Sequence, residues 1–247
     1  MTYCLALRLQ DGLVFGADTR TNAGVDYVTS YRKLHVFQPA PDRLFVLLAA
    51  GNLGVTQELL HWLKRDLEAS DGREHLGSVT RLFEAADYVG RTSRAVQERH
   101  GPAFAASGVS GSTSLILGGQ IGTEPHGLFL IYPQGNYIEA SEDTPYLQIG
   151  ENKYGKPMLD RLLEPSIGLE DGARLALVSL DATIRSNLTV GLPIDLALVR
   201  AGALSIERQL RLEAHTPYLA ALREQWQQGL VQTFASLPRF DWEAPEG

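Results

Sequence analysis

Strand-like and helix-like stretches fall into alternating blocks along this 247-residue chain, and that grouping limits the layers it can build. Tyr3 to Leu9 alternates, Asp11-Gly12 is a hairpin turn signal, and Leu13 to Ala17 is a short apolar run, so the chain opens as a β-hairpin. Two further strands are expected at Arg32 to Phe37 and Arg43 to Ala50, the second entering the turn Gly51-Asn52. The period then changes. Val55, Leu59, Leu63 and Leu67 recur every four residues, which puts one apolar stripe on an amphipathic helix, and Val79, Leu82, Phe83, Ala86, Val89 and Val96 do the same for a second. Strands return at Ser112 to Gly119, Gly127 to Tyr132 and Asn136 to Ala140, with Gly118-Gly119 and Pro133-Gln134-Gly135 read as breaks. Helices are expected from Asn152 to Leu163 and Leu169 to Arg185, strands at Ile194 to Val199 and Ala203 to Arg208, and a last helix from Pro217 to Leu230. Grouped strands and grouped helices argue for an α+β fold, with sheets in the middle and helix pairs outside. No repeat or linker divides the chain, so residues 1–247 are expected to form one domain with 236–247 as a tail.

Composition narrows the function. A hydrophobic content of 44% supplies a real core, and a net charge of −7 disfavours a broad grip on nucleic acid or anionic lipid. The one cysteine, Cys4, can form no intramolecular disulfide, and no run of roughly 18 apolar residues suits a membrane span. A cytoplasmic protein with no membrane and no nucleic-acid partner is the expectation. Gly108-Val109-Ser110-Gly111-Ser112 lacks the glycine spacing of a nucleophile elbow, no phosphate-binding loop follows a strand, and the six histidines show no metal-ligand spacing. No cofactor and no metal are expected.

What remains is Thr2. A small second residue permits removal of Met1, and threonine then carries a free α-amino group whose reference pKa of about 7.7 to 8.0 suits it to take the hydroxyl proton at neutral pH. Nucleophile and base then sit on one residue. Around it the sequence offers Asp18 at a strand end in Ala17-Asp18-Thr19-Arg20, Lys33 in Arg32-Lys33-Leu34, and Gly51 after the apolar Ala49-Ala50.

These residues resemble the proteasome β-subunit family, and more closely its bacterial branch called Anbu, over essentially the whole chain. The resemblance implies the four-layer αββα sandwich of N-terminal nucleophile hydrolases. It also implies that Thr2 is the nucleophile, that Asp18, sixteen positions on, holds Lys33, and that the Gly51 N–H stabilises the oxyanion. Lys33 lies one position closer than in typical family members. The implied activity is that of a threonine-type peptidase or amidase on a peptide or protein substrate, working as a homo-oligomer, either a ring or an open helical assembly; the sequence names no ATPase partner. Two departures stand out. Gly150-Glu151-Asn152 replaces the family's Gly-Ser-Gly, and Ser186-Asn187 through Gly191 replaces its Asp-x-x-Ser, so Glu151 and Asn187 become the candidates for supporting the amine. A carboxylate beside that amine would raise its pKa and slow it as a base. A self-assembling protein with little turnover, or an amidase for a small metabolite, therefore stays open. Ala49 and Leu53, flanking Gly51, are expected to line the pocket for the residue preceding the scissile bond and to favour hydrophobic side chains.

Overall fold

The computed structural model describes residues 1–22, 28–164 and 166–243, and the chain falls into two compact units, Met1–Glu213 and Ala214–Gly247. In chain order the first unit contains the strands Tyr3–Leu9 (β1), Gly12–Asp18 (β2), Arg20–Asn22 (β3), Val28–Ser30 (β4), Leu34–Ala40 (β5) and Arg43–Gly51 (β6). The helices Leu53–Glu68 (α1) and Leu82–Ser107 (α2) follow, then Thr113–Ile121 (β7), Gly127–Ile131 (β8), Tyr137–Glu139 (β9) and Tyr146–Gly150 (β10). Lys156–Leu162 (α3), Leu169–Ser186 (α4), Ile194–Arg200 (β11) and Arg208–Leu212 (β12) complete it. The second unit consists of the helix Pro217–Ala235 (α5) and a short helical turn at Asp241–Glu243. Among the described residues no helix is long and apolar enough to cross a membrane.

Two five-stranded antiparallel sheets carry the first unit, one in the order β10-β1-β2-β11-β12 and the other β5-β6-β7-β8-β9; β3 and β4 form a separate two-stranded ribbon. Phe15, Leu13, Ala6 and Cys4 of the first sheet bury themselves against Leu44, Val46, Leu48 and Ile116 of the second. Phe45, Leu47, Leu115 and Leu117 point the other way, onto Leu59 and Leu63 of α1 and Ala85, Ala86 and Val89 of α2. On the opposite side α4 lies on the first sheet, where its Leu180 and Ala176 approach Gly16 and its Gly172 approaches Leu9. The layers are thus helix pair, sheet, sheet, helix pair, the αββα sandwich that the resemblance implied. Strands covered on both faces carry apolar residues at nearly every position, which is why β1, β2 and β6 are buried almost throughout.

Three expectations need correcting. Gly118-Gly119 does not break a strand, because β7 runs through both: a Cβ at Gly118 would meet the Phe15 ring at 2.6 Å, and one at Gly119 the Leu44 carbonyl oxygen at 2.0 Å. Gly118 serves close packing between the two sheets and Gly119 the close approach of the neighbouring strand β6 within its own sheet; neither makes a turn. Ala203 to Arg208 is not a strand, since Gly202 and Leu204 adopt positive φ of 77° and 51° and turn the chain before β12 begins at Arg208. The third helix starts at Lys156, four residues later than expected, with Pro157 in its first turn. The strands β3, β4 and β10 were not foreseen at all. For Gly119→Ala we expect a loss of about 1–3 kcal/mol or more from overpacking against fixed backbone. Urea unfolding would read this as a lowered midpoint, and an unchanged midpoint would contradict the close-approach account.

Candidate active site

The hairpin register brings the end of β2 level with the start of β1, since Cys4 lies opposite Ala17. Asp18 is fully buried there. Its Oδ1 accepts from the Tyr3 backbone N–H at 3.0 Å and from Lys33 Nζ at 2.6 Å, and its Oδ2 accepts from the Gly191 N–H at 3.1 Å. Burial pushes the Asp18 carboxyl above the usual carboxylate range, while the Lys33 charge and the N–H donors pull it back down. Lys33 arrives from the residue before β5, and its Nζ also donates to the Arg20 carbonyl at 2.6 Å. An ammonium has three protons, so two are committed and one is left for the cavity that Lys33 borders.

Thr2 is held on both sides. Its carbonyl accepts from the Glu151 N–H at 2.7 Å, and the following N–H is the one bound to Asp18. Gly150 makes that approach possible: it adopts φ of 84°, and a Cβ there would stand 1.9 Å from the Thr2 carbonyl oxygen. The terminal amine, on Met1, lies below its ordinary pKa because of burial first and the Lys33 charge second; Asp18 and Glu151 act in the opposite direction. Glu151 is itself buried, and its Oε2 accepts from Asn187 Nδ2 at 3.1 Å. Asn187 Oδ1 in turn accepts from the N–H and hydroxyl of Thr189 at 2.9 and 2.6 Å, which fixes the amide's orientation. Glu151 and Asn187 therefore form one hydrogen-bonded pair behind the N-terminus.

A cavity of about 360 Å³ opens over this arrangement, bordered by Thr2, Lys33 and Gly51 and, on its apolar side, by Ala49 and Leu53. Gly51 ends β6 with φ of 130°, and a Cβ there would lie 2.2 Å from the Ser112 carbonyl oxygen, so no other residue fits. Asn52 locks the turn that follows. Its side chain accepts from the Val55 N–H at 3.2 Å to cap α1 and donates to the Ser110 carbonyl at 3.1 Å. Cys4 lies below the cavity floor, fully buried and directed at the Ala49 carbonyl, and burial pushes its thiol pKa up, which keeps it protonated and unreactive.

Other residues at the cavity carry little mark in the sequence. Arg32, Thr21, Thr56, Ser112 and Ser114 also border the cavity. The alternation of Ser112 and Ser114 at a strand start was the one available signal; the others come together only in the folded chain. The sequence marks Tyr3 only as a strand residue, yet its hydroxyl is buried with Ser179 Oγ at 2.7 Å, and Ser179 donates onward to the Gly155 carbonyl at 3.0 Å, anchoring the N-terminal strand to α4.

This sandwich, with a buried Asp-Lys pair under its N-terminal strand, has the proteasome-type N-terminal nucleophile fold. A family model described as "Proteasome subunit" matches residues 2–199, and the chain belongs to that family. Among solved structures it is similar to Anbu (ancestral beta-subunit) from Yersinia bercovieri, 45% identical with a TM-score of 0.90 over 97% of this chain and 100% of that one. It is similar also to the helical assembly of the Anbu complex from Pseudomonas aeruginosa, 42% identical with a TM-score of 0.91 over 97% and 98% of the two chains. Proteasome subunit beta type-10 of Mus musculus is 27% identical over 213 residues, 85% of this chain and 69% of that one.

Removing one partner of a buried ion pair leaves the other charged and unpaired, which costs about 3–5 kcal/mol. Lys33→Ala should therefore unfold well below the wild type in urea at pH 7. Asp18 titrates above its unfolded value, so the folded variant binds that proton more tightly than the unfolded chain. Its deficit should shrink as pH falls through the raised carboxyl pKa toward the ordinary aspartate range. Lys33→Ala combined with Asp18→Asn should not show this recovery, and a deficit independent of pH in the single variant would contradict the assigned pair.

Proposed function

We propose that the chain is a threonine-type peptidase or amidase whose nucleophile is Thr2 after removal of Met1. The observation that carries this reading is the buried Asp18–Lys33 pair at the floor of a cavity shared by Thr2 and Gly51. In the processed chain the Thr2 amine takes the proton from its own Oγ, directly or through a water, as Oγ attacks the substrate carbonyl. The Lys33 charge favours the free base and the developing alkoxide; on the Met1 amine, burial first and the Lys33 charge second both favour the free base. The Gly51 N–H donates to the tetrahedral oxyanion, a contact worth roughly 2.7–4 kcal/mol where such donors have been removed. The amine then passes its proton to the leaving nitrogen, and water cleaves the acyl-threonine ester. Thr2→Ala removes only a hydroxyl and a methyl at a chain end, so it should abolish labelling by a β-lactone or epoxyketone while leaving the assembly intact. Undiminished labelling of Thr2→Ala would refute the reading.

A second reading, an assembling protein with slow turnover, draws support from Glu151, whose charge acts to raise the pKa of the Met1 amine against the larger effects of burial and Lys33, and would act the same way on a Thr2 amine. The two readings meet in one variant. Glu151→Gln removes that charge and keeps a hydrogen-bonding partner for Asn187, so the pH midpoint of labelling should move down and the rate at neutral pH should rise. An unchanged pH profile would mean that Glu151 does not govern the amine.

Assembly completes the proposal. A homo-oligomer, as a ring or an open helix, is supported by the relative from Pseudomonas aeruginosa described as a helical assembly. Light scattering at micromolar concentration should give a mass many times that of one subunit, and a monomer would contradict it.

A further inference from the structure

The cavity over Thr2 has an unbalanced charge. Its border includes two cations, Arg32 and Lys33, and no carboxylate. Lys33 is neutralised from below by Asp18, with Nζ 2.6 Å from Oδ1. The Arg32 side chain is exposed, and its guanidinium takes no part in the hydrogen bonds and ion pairs among the described residues. The acid that feels its charge is Asp195, which is buried and already paired with the Arg211 guanidinium at 3.2 Å, the larger of the two influences on it. Arg20 does not compensate either, since it is a further cation, donating to the Leu188 carbonyl at 2.7 Å. Glu151 stands behind the N-terminus, bonded to Asn187. The rest of the border is rich in hydroxyls, from Thr21, Thr56, Ser112 and Ser114.

We propose that Arg32 is a specificity-determining residue and that the site prefers peptides whose residue before the scissile bond carries a carboxylate. The inference rests on the reading of Thr2 as the nucleophile, since that places the acyl side of the substrate in this cavity. A guanidinium offers five N–H donors in a planar fork that matches a carboxylate, and a cavity that excludes part of the solvent strengthens that contact. The hydroxyls take the carboxylate oxygens that the fork leaves open, and Ala49 with Leu53 receives the methylene stem. The hydrophobic preference expected from Ala49 and Leu53 alone gives way here, because a purely apolar side chain would leave the guanidinium unpaired and several hydroxyls without partners.

The test uses the processed, assembled protein and a set of matched short peptide substrates that differ only in the residue before the scissile bond, namely glutamate, glutamine, leucine and lysine. The ratio of kcat/KM between glutamate and glutamine is read, since a ratio is insensitive to overall losses. We expect about tenfold or more in favour of glutamate, the scale of one charge-assisted hydrogen bond. The ratio should fall toward one in Arg32→Gln, survive in part in Arg32→Lys, and turn in favour of lysine in Arg32→Glu. A wild-type ratio near one, a leucine substrate that outruns glutamate, or a ratio unmoved by Arg32→Gln would overturn the proposal. Binding of the same peptides, fluorescently tagged, to Thr2→Ala separates this inference from the mechanism beneath it. If the wild type shows no turnover but Thr2→Ala binds the glutamate peptide about tenfold tighter than glutamine through Arg32, the nucleophile reading fails and the specificity stands; equal binding of the two overturns the specificity as well.

Discussion

The carboxylate of Asp18 is where the separate parts of this fold are tied together. Its two oxygens receive the first strand through Tyr3, the approach to β5 through Lys33, and the loop after α4 through Gly191. Each contact reaches a different layer or edge of the sandwich, and none is local in sequence. A buried aspartate is costly unless paired and hydrogen-bonded, so the surrounding segments are held wherever they satisfy it. The Lys33 carbonyl extends the chain of constraints by accepting from the Ala49 N–H at 3.1 Å, which sets the start of β5 against the strand that ends in Gly51. Placement of the cavity, and of Thr2 beside it, follows from satisfying one carboxylate.

The glycines act from the opposite side, by allowing backbone to come close where a side chain would forbid it. Gly150 admits the Thr2 carbonyl, Gly51 admits Ser112, and Gly119 admits Leu44. The first two border the cavity and the third lies in the middle of the sandwich. Charge attraction and steric permission together set the position of the N-terminus to within a hydrogen bond, which is the precision that a nucleophile acting with its own amine requires.

Much of the fold was legible because its signals are local. The hairpin at Asp11-Gly12, the four-residue spacing of Leu59, Leu63 and Leu67, and the apolar run of β6 each carry their own period. The errors came where tertiary packing overrides composition. Arg208-Gln209-Leu210-Arg211-Leu212 is a polar edge strand, exposed along most of its length, and the more apolar Ala203 to Ile206 just before it looked the better strand. Tyr146–Gly150 is short and follows a proline, so only its pairing with β1 makes it a strand. At the site, Asp18, Lys33 and Gly51 were singled out through resemblance. Arg32, Ser114 and Thr56 were not, because a loop, a strand and a helix far apart in sequence supply them and meet only after folding.

The proposed chemistry depends on a free N-terminus at Thr2. An amide-bonded Thr2 has no amine to serve as base, so its hydroxyl would face the substrate with an aliphatic alcohol's reactivity. A preparation holding a mixture of chains with and without Met1, treated with a threonine-directed epoxyketone and resolved by intact mass and N-terminal peptide sequencing, puts this directly to the test. The adduct should appear on Thr2 of the processed chains alone, in step with the fraction that lacks Met1. An adduct of equal yield on chains that retain Met1, or one located away from Thr2, would contradict the central claim.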